Sequence, residues 1–450
     1  MPDSQSLATA NQKLDHLKEV VSDMLKQAAQ LGASSAEAGV SASTGTSATV
    51  RLGEVETIEH TSDNGTGITV YFGQKKGSAS TTDLTPEAIK QTVKAACDIA
   101  RYTTEDVCSG LANADEMLQQ QPDLDLYHPW NLDIDQAIEL AKNCEATALE
   151  FDKRIINSEG ASLHNASGFH VYGNSHGFIG AYPSTRHSLS CSVLAQDGES
   201  MQRDYWYDTS RQADELSSAE EIGKRCAERA LARLNPRRVK TQSVPVIFRS
   251  ETAPGLLRSF ISSIRGSSLY RKSTFMLEQL GESIFPDYIT ISEDPLLKRG
   301  LSSASYDSDG VATRARDIVK DGVLQNYVLD AYSARKLNMQ NTGNAGGVRN
   351  LSINHSDQSL DDMLKTMNKG LLVTEMMGQG TNLVTGDYSR GAAGFWVENG
   401  EIQFPVDEIT IAGNLRDMFK QLEIVGNDFD NPGSIRTGSW LIREMTLAGE

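Results

Sequence analysis

The chain has 450 residues, 39% of them apolar, with 42 Lys and Arg against 60 Asp and Glu and a net charge of -18 at pH 7. That length exceeds what one hydrophobic core serves and predicts two or three domains. The apolar content fits an ordinary folded chain, and the acidity gives no general electrostatic footprint for nucleic acid. Five cysteines, Cys97, Cys108, Cys144, Cys191 and Cys226, are odd in number, far apart and free of any C-x-x-C pair. They predict reduced, buried thiols. No stretch reaches the ~18 consecutive apolar residues of a membrane span, and the first residues form no basic or apolar leader, so a cytoplasmic location is expected.

Leu14, Leu17, Val21, Met24, Leu25, Ala28 and Leu31 recur at helical spacing and predict an amphipathic helix over residues 9–32, ended by Gly32. Alternating stretches at 36–40, 49–58 and 67–77 predict strands around glycine turns. Thr85, Pro86 and Glu87 then open a helix carrying Ile89, Val93, Cys97 and Ala100. These elements make an N-terminal α+β domain, residues 1–120. A second α+β domain, 121–238, starts with a helix from Asp133 and continues through an antiparallel meander at 161–172, 178–182 and 188–207. A helix over 217–234 closes it before Pro236. Residues 239–450 predict a β-rich C-terminal domain. It opens with a strand at 244–248 and a helix holding Leu256, Leu257, Phe260, Ile261 and Ile264. A hairpin at 318–324, a helix over 359–370 and at least four strands after Gly378 follow. The clearest of these is a hairpin in which Phe395 and Val397 share a face, Asn399-Gly400 makes a type I′ turn, and Ile402 and Phe404 return. The fold class is α+β.

Motifs for chemistry are sparse. A hydrolytic metal site needs several converging ligands and an open position for water, yet the eight histidines form no H-E-x-x-H. His164, His170 and His176 are six residues apart, so two could share a strand face, but no carboxylate accompanies them at ligand spacing. There is no G-x-S-x-G. Asp307-Ser308-Asp309-Gly310 reads as an acidic turn, since a calcium loop would add a third acidic position and a Glu at position 12. The glycine runs at 342–347 and 378–380 lack the Lys-Ser/Thr of a P-loop and the helix of a dinucleotide fingerprint.

The run from Gly378-Gln379-Gly380 through Gly386-Asp387-Tyr388-Ser389-Arg390-Gly391 to Pro405, followed by 409–415 and Val425-Gly426-Asn427-Asp428, resembles the C-terminal domain of the TldD/PmbA family. In detail it resembles the PmbA (TldE) branch, and the likeness extends over nearly the whole chain. After the 244–248 strand the zinc-bearing branch has H-E-A-x-G-H, whereas this chain reads Glu251-Thr252-Ala253-Pro254-Gly255-Leu256. Aligned on Ala253 and Gly255, the first ligand falls on Glu251, the general base on Thr252 and the second ligand on Leu256. Sliding by one puts Ser250 and Gly255 at the ligand positions. The zinc branch's cysteine ligand falls on Thr437, whose neutral hydroxyl is a poor substitute for a thiolate.

The resemblance therefore implies a chain with no catalytic residue, no metal and no cofactor of its own. It implies a TldD-type zinc subunit as heterodimer partner, with zinc held by that partner. Unfolded peptides are the implied substrates, as in antitoxin turnover and peptide maturation, and a homodimer in isolation is compatible with it. Glycines let another backbone approach, which suits a peptide added to a sheet edge. Together with the family segments, this nominates Asp307, Asp309, Gly343, Asn344, Gly378, Gly380, Gly391 and Gly394 as peptide contacts. The alternative reading is a non-enzymatic regulator acting indirectly on a nucleic-acid enzyme such as gyrase.

Overall fold

The computed structural model describes residues 4–430 and 432–449. The chain opens with α1 (Ser4–Gln30), the long hairpin β1 (Ser35–Arg51) and β2 (Glu54–Phe72), the short strand β3 (Lys75–Thr81), and α2 (Pro86–Tyr102). An irregular crossing leads to α3 (Ile134–Glu150), β4 (Ile155–Asn174), β5 (Ile179–Asp197), β6 (Ser200–Ser210) and α4 (Ala219–Ala232). The six strands make one sheet in the order β3-β2-β1-β4-β5-β6, antiparallel throughout. The ladder from Glu37↔Asn174 to Val50↔Ala161 crosses the expected division near residue 120 and makes the sheet continuous.

Strand alternation decides how that sheet is covered. Ala36, Ala38, Val40, Ala42, Ala48 and Val50 of β1 are buried, as are Ala161, Leu163, Phe169 and Val171 of β4, all on one face. The helices α1 and α2 cover one end of this face, and α3 and α4 cover the other. The opposite face carries Ser, Thr and Gly along the middle of β1, and His164, His170 and Tyr172 on β4. Helix starts follow their caps: Asp133 accepts from the Gln136 amide at 2.8 Å, and Ser218 from Glu221 at 3.1 Å. Gly223 lets α4 close on α3, since a Cβ there would lie 2.2 Å from the Cys144 carbonyl oxygen.

Two strands are longer than the sequence pattern predicts. Residues 41–48 and 59–66 read as interruptions because Ser, Thr, Gly and Asn carry little strand signal, yet they pair continuously in the β1–β2 ladder. The meander segments 178–182 and 188–207 are likewise β5 and β6, and β5 runs through Pro183. Pairing with β6 begins only at His187, so Pro183 sits where β5 has no neighbour on that side.

The C-terminal unit begins with β7 (Gln242–Phe248), α5 (Ala253–Ser263) and α6 (Gly266–Tyr270). Then come β8 (Ile291–Glu293), β9 (Arg316–Lys320), β10 (Val323–Leu324), α7 (Ala331–Leu337), β11 (Leu351–Ile353) and α8 (Leu360–Met367). The last elements are β12 (Gly370–Met377), β13 (Asp387–Glu398), β14 (Glu401–Asn414), α9 (Leu415–Lys420), β15 (Leu422–Val425), β16 (Ile435–Arg436) and β17 (Trp440–Ala448). Six strands run β14-β13-β12-β7-β17-β15, and β14 also pairs with β17, which closes the sheet on itself. A smaller sheet runs β10-β9-β8-β11-β16. The type I′ turn stands as expected, with φ of 56° at Asn399 and 75° at Gly400. Phe248, Trp396 and Trp440 pack with Leu256, Leu257 and Phe260 of α5 on one face, while Ile247, Leu372 and Val397 pack under α8 on the other.

The α+β class with a β-rich C-terminal region is the observed architecture. All five cysteines are free and buried. No helix among the described residues is long and apolar enough to cross a membrane.

Candidate functional site

β7 pairs in parallel with β12, and the Arg249 amide extends that ladder by donating to the Val373 carbonyl at 3.0 Å. The chain then turns on the Arg249 carbonyl, which accepts from Thr252 at 2.7 Å and Ala253 at 2.9 Å, and enters α5 with Pro254 in its first turn. Glu251 and Thr252 thereby sit at the seam between the long sheet and the C-terminal barrel. A cavity of about 320 Å³ lies over them, walled by β6, α4, the start of α5, and Glu375 and Arg390 from the barrel.

Charge organises the seam. Arg229 of α4 reaches Asp204 at 3.2 Å and Glu251 at 2.5 Å. Arg233, one turn on, reaches Asp204 at 3.6 Å and also pairs with Glu375. Arg249 lies 3.5 Å from Glu251. The Asp204 side chain is 5% exposed and that of Arg229 13%, so both charges are removed from water. Burial works against the Arg229 charge, but Asp204 and Glu251 outweigh it and its pKa is raised. The aromatic wall is Tyr205, Trp206 and Tyr207; the guanidinium of Arg225 lies 3.7 Å from the Trp206 ring centroid.

Each position that the resemblance assigns to metal chemistry is occupied otherwise. The Glu251 carboxylate is held by two guanidiniums. The Thr252 hydroxyl donates to the Arg249 carbonyl at 2.9 Å. Leu256, 1% exposed, belongs to the apolar core. Thr437 is fully buried, where its hydroxyl accepts from the Trp440 indole N–H at 2.7 Å and donates to the Gly438 carbonyl at 2.9 Å. This donor set does not fit a divalent ion: one carboxylate already neutralised, two engaged hydroxyls and an alkyl chain. Among the described residues no three His, Cys, Asp or Glu side chains converge in a way that could hold a metal. His164 and His170 do share a face of β4, but six residues of strand separate them by roughly 20 Å.

The other nominated residues lie away from this cavity. Asp307 is 1% exposed, and its carboxylate accepts from the amides of Asp309 at 2.9 Å, Val311 at 3.0 Å and Ala345 at 2.9 Å. It therefore ties the 307–311 turn to the 344–347 loop. Asn344 donates to Glu293 at 3.0 Å and accepts from Thr342 and Arg316. Gly343 supplies a positive φ of 70° in that loop. Asp309 alone of this group borders open space, a second cavity of about 430 Å³ beside Glu37 and Tyr172. Gly378 is a turn residue at φ 75°. Gly380 and Gly394 do admit close backbones, but those of this chain: an added Cβ would lie 1.5 Å from the Ser389 oxygen and 1.9 Å from that of Leu372. Gly391 faces Met377 within the β12–β13 ladder.

Sequence reasoning missed Asp204, Arg229, Arg233 and Arg390. One signal was present: Arg225, Arg229 and Arg233 recur every four residues and mark a basic stripe along one helix face.

Comparison with known proteins covers almost the full length. Models of the PmbA/TldA metallopeptidase family match in three parts: domain 1 at residues 36–100, the central domain at 127–234 and the C-terminal domain at 241–449. The chain is 52% identical over 434 residues to Metalloprotease PmbA of Escherichia coli O157:H7, covering 96% of each. It is 48% identical over 449 residues to a Metalloprotease PmbA homolog of Haemophilus influenzae, covering 100% of this chain and 99% of that one. A solved structure from Bacteroides thetaiotaomicron, described as a candidate modulator of DNA gyrase, superposes with a TM-score of 0.92 at 31% identity, over 97% of this chain and 99% of the other.

Proposed function

The chain belongs to the PmbA branch of the TldD/PmbA metallopeptidase family, and from that membership we propose that it is the subunit that holds peptide without cutting it. In this reading a TldD-type partner carries the zinc and performs the hydrolysis, and the two chains form a cytosolic heterodimer acting on unfolded peptides. The observation that carries the reading is the seam at Glu251, where the positions of a zinc peptidase's ligands and base are taken by ion pairs and apolar packing. A carboxylate already paired with two guanidiniums has its oxygens engaged and makes a poor ligand for an ion.

What this chain contributes is surface. β6 is the outer strand of the six-stranded sheet, with β5 on one side only. Its outer edge pairs with no other strand among the described residues; the Tyr205 and Thr209 amides donate to the Asp204 and Asp208 side chains, and an extended peptide would add along the rest of the edge with little sequence preference.

The test mixes purified chain, a TldD-type partner and an unfolded peptide. Cleavage is expected only when both chains are present, and a chelator abolishes it. Chelator-sensitive cleavage by this chain alone refutes the proposal. Regulation of gyrase, which the description of the Bacteroides structure suggests for that protein, has less support here: the net charge of -18 opposes contact with DNA, leaving an indirect effect.

A further inference from the structure

The cavity over Glu251 has an imbalance of charge that the ion pairs do not remove. Its three carboxylates are all matched: Asp204 with Arg229 and Arg233, Glu251 with Arg229 and Arg249, Glu375 with Arg233. Two further arginines line the same space, Arg258 from α5 and Arg390 from β13. Neither has a carboxylate partner among the described residues. Arg390 is half-buried, and its Nε is shielded from solvent without a hydrogen-bond acceptor. Leaving a cationic donor unmatched in this way is costly. The walls beside these groups are Tyr205 and Tyr207, whose rings stack at 6.3 Å and 19°.

The geometry points to this cavity as a carboxylate-binding pocket, in which the guanidiniums of Arg258 and Arg390 hold an anionic group of a peptide lying along β6. An arginine fork matches a carboxylate with two parallel N–H···O bonds, and a single carboxylate shared between Arg258 and Arg390 halves their excess of two positive charges. A polyanion suits it poorly: the space is about 320 Å³ and the molecule around it carries -18. The carboxylate is either the peptide's C-terminus or an Asp or Glu side chain. This inference rests on the peptide-holding reading above for its ligand, but the pocket itself does not depend on it.

The experiment uses the full chain and tryptophan fluorescence, with Trp206 in the wall as reporter. The probes are an N-acetylated hexapeptide as free acid, the same peptide as C-terminal amide, the amide with one internal Glu, and N-acetylglycine against N-acetylglycinamide. Charge-assisted hydrogen bonds predict a roughly tenfold or greater preference for acid over amide. Arg390→Met should erase that preference. Arg258→Gln, at an exposed position of α5, should reduce it several-fold. Rescue of the amide by the internal Glu identifies a side-chain source, and no rescue identifies the C-terminus. Equal binding of acid and amide overturns the carboxylate pocket while the peptide-holding reading stands. Failure of every peptide, with N-acetylglycine still bound through Arg390, overturns the peptide-holding reading while the pocket stands. If no probe binds, both fall.

Discussion

Replacing Asp204 by Asn tests whether the seam is held by its charges. Asp204 sits 3.2 Å from Arg229 and 3.6 Å from Arg233. At an effective dielectric of about 20, each contact is worth about 5 kcal/mol of gross attraction. Desolvation of the ions offsets most of it in the intact protein. Removing one partner is different, because the remaining buried charges are left underpaired, Arg229 with Glu251 alone and Arg233 with Glu375 alone, at a cost of up to about 3–5 kcal/mol. Asp204→Asn keeps the shape and the acceptor for the Tyr205 amide, 2.7 Å away, so the loss should be electrostatic and about 3 kcal/mol. Arg229→Met alone should cost a similar amount by leaving Asp204 and Glu251 underpaired. The double variant removes a cation and an anion together, while Arg233 keeps Glu375 and Glu251 keeps Arg249. Its cost should therefore fall at least about 2 kcal/mol short of the sum of the singles. Urea unfolding followed by tryptophan fluorescence, with slopes compared across the cycle, supplies the four free energies. A single-variant loss below about 1 kcal/mol, or additivity within about 0.5 kcal/mol, refutes the reasoning.

Two further outcomes follow from the geometry. Gly394→Ala should prevent the barrel from forming, because a Cβ would meet the Leu372 oxygen at 1.9 Å, whereas Gly255→Ala in α5 opens onto free space and should stabilise by about 0.5–1 kcal/mol; soluble yield and melting temperature separate the two, and equal behaviour refutes the packing argument. Burial raises Asp307 to about 6, and burial with Asp307 and Glu37 raises Asp309 to about 7, both from 3.8. The folded state thus keeps protons that the unfolded chain releases, so this pair's contribution is full below about pH 4 and is lost as pH rises to about 7. Asp309→Asn should flatten that part of the stability profile, and an unchanged slope in melts between pH 4 and 8 counts against it.

What could be read in advance depended on how local the cause was. The 399–400 turn, the Pro86 and Asp133 helix starts and most of the α1 stripe are written in neighbouring residues, and the structure reproduces them. Residues 41–48 were not legible as strand, because their small polar side chains are held by partners on both sides, β2 and β4. Closure of the barrel rests on Thr410↔Ala448 and its neighbours, a pairing with no trace in either segment alone. In the site, unsuitable chemistry at Glu251, Thr252, Leu256 and Thr437 was visible from residue type. The ion pairs around Glu251 were not, since Asp204, Arg229 and Glu375 come from three elements far apart in sequence.

The position of β17 sets an order on synthesis. It lies between β7 and β15 and also pairs with β14, so residues 440–448 contact the first strand of the C-terminal unit and two later ones. While the ribosome is still making this segment, β7 has one neighbour, and the apolar surface around Phe248 and Ile247 has no lid on that side. The N-terminal sheet, whose six strands end at Ser210, has all its partners long before then. A nascent chain therefore carries a finished half and an open one, and the interval before residues 440–448 emerge is when a holdase would find something to grip.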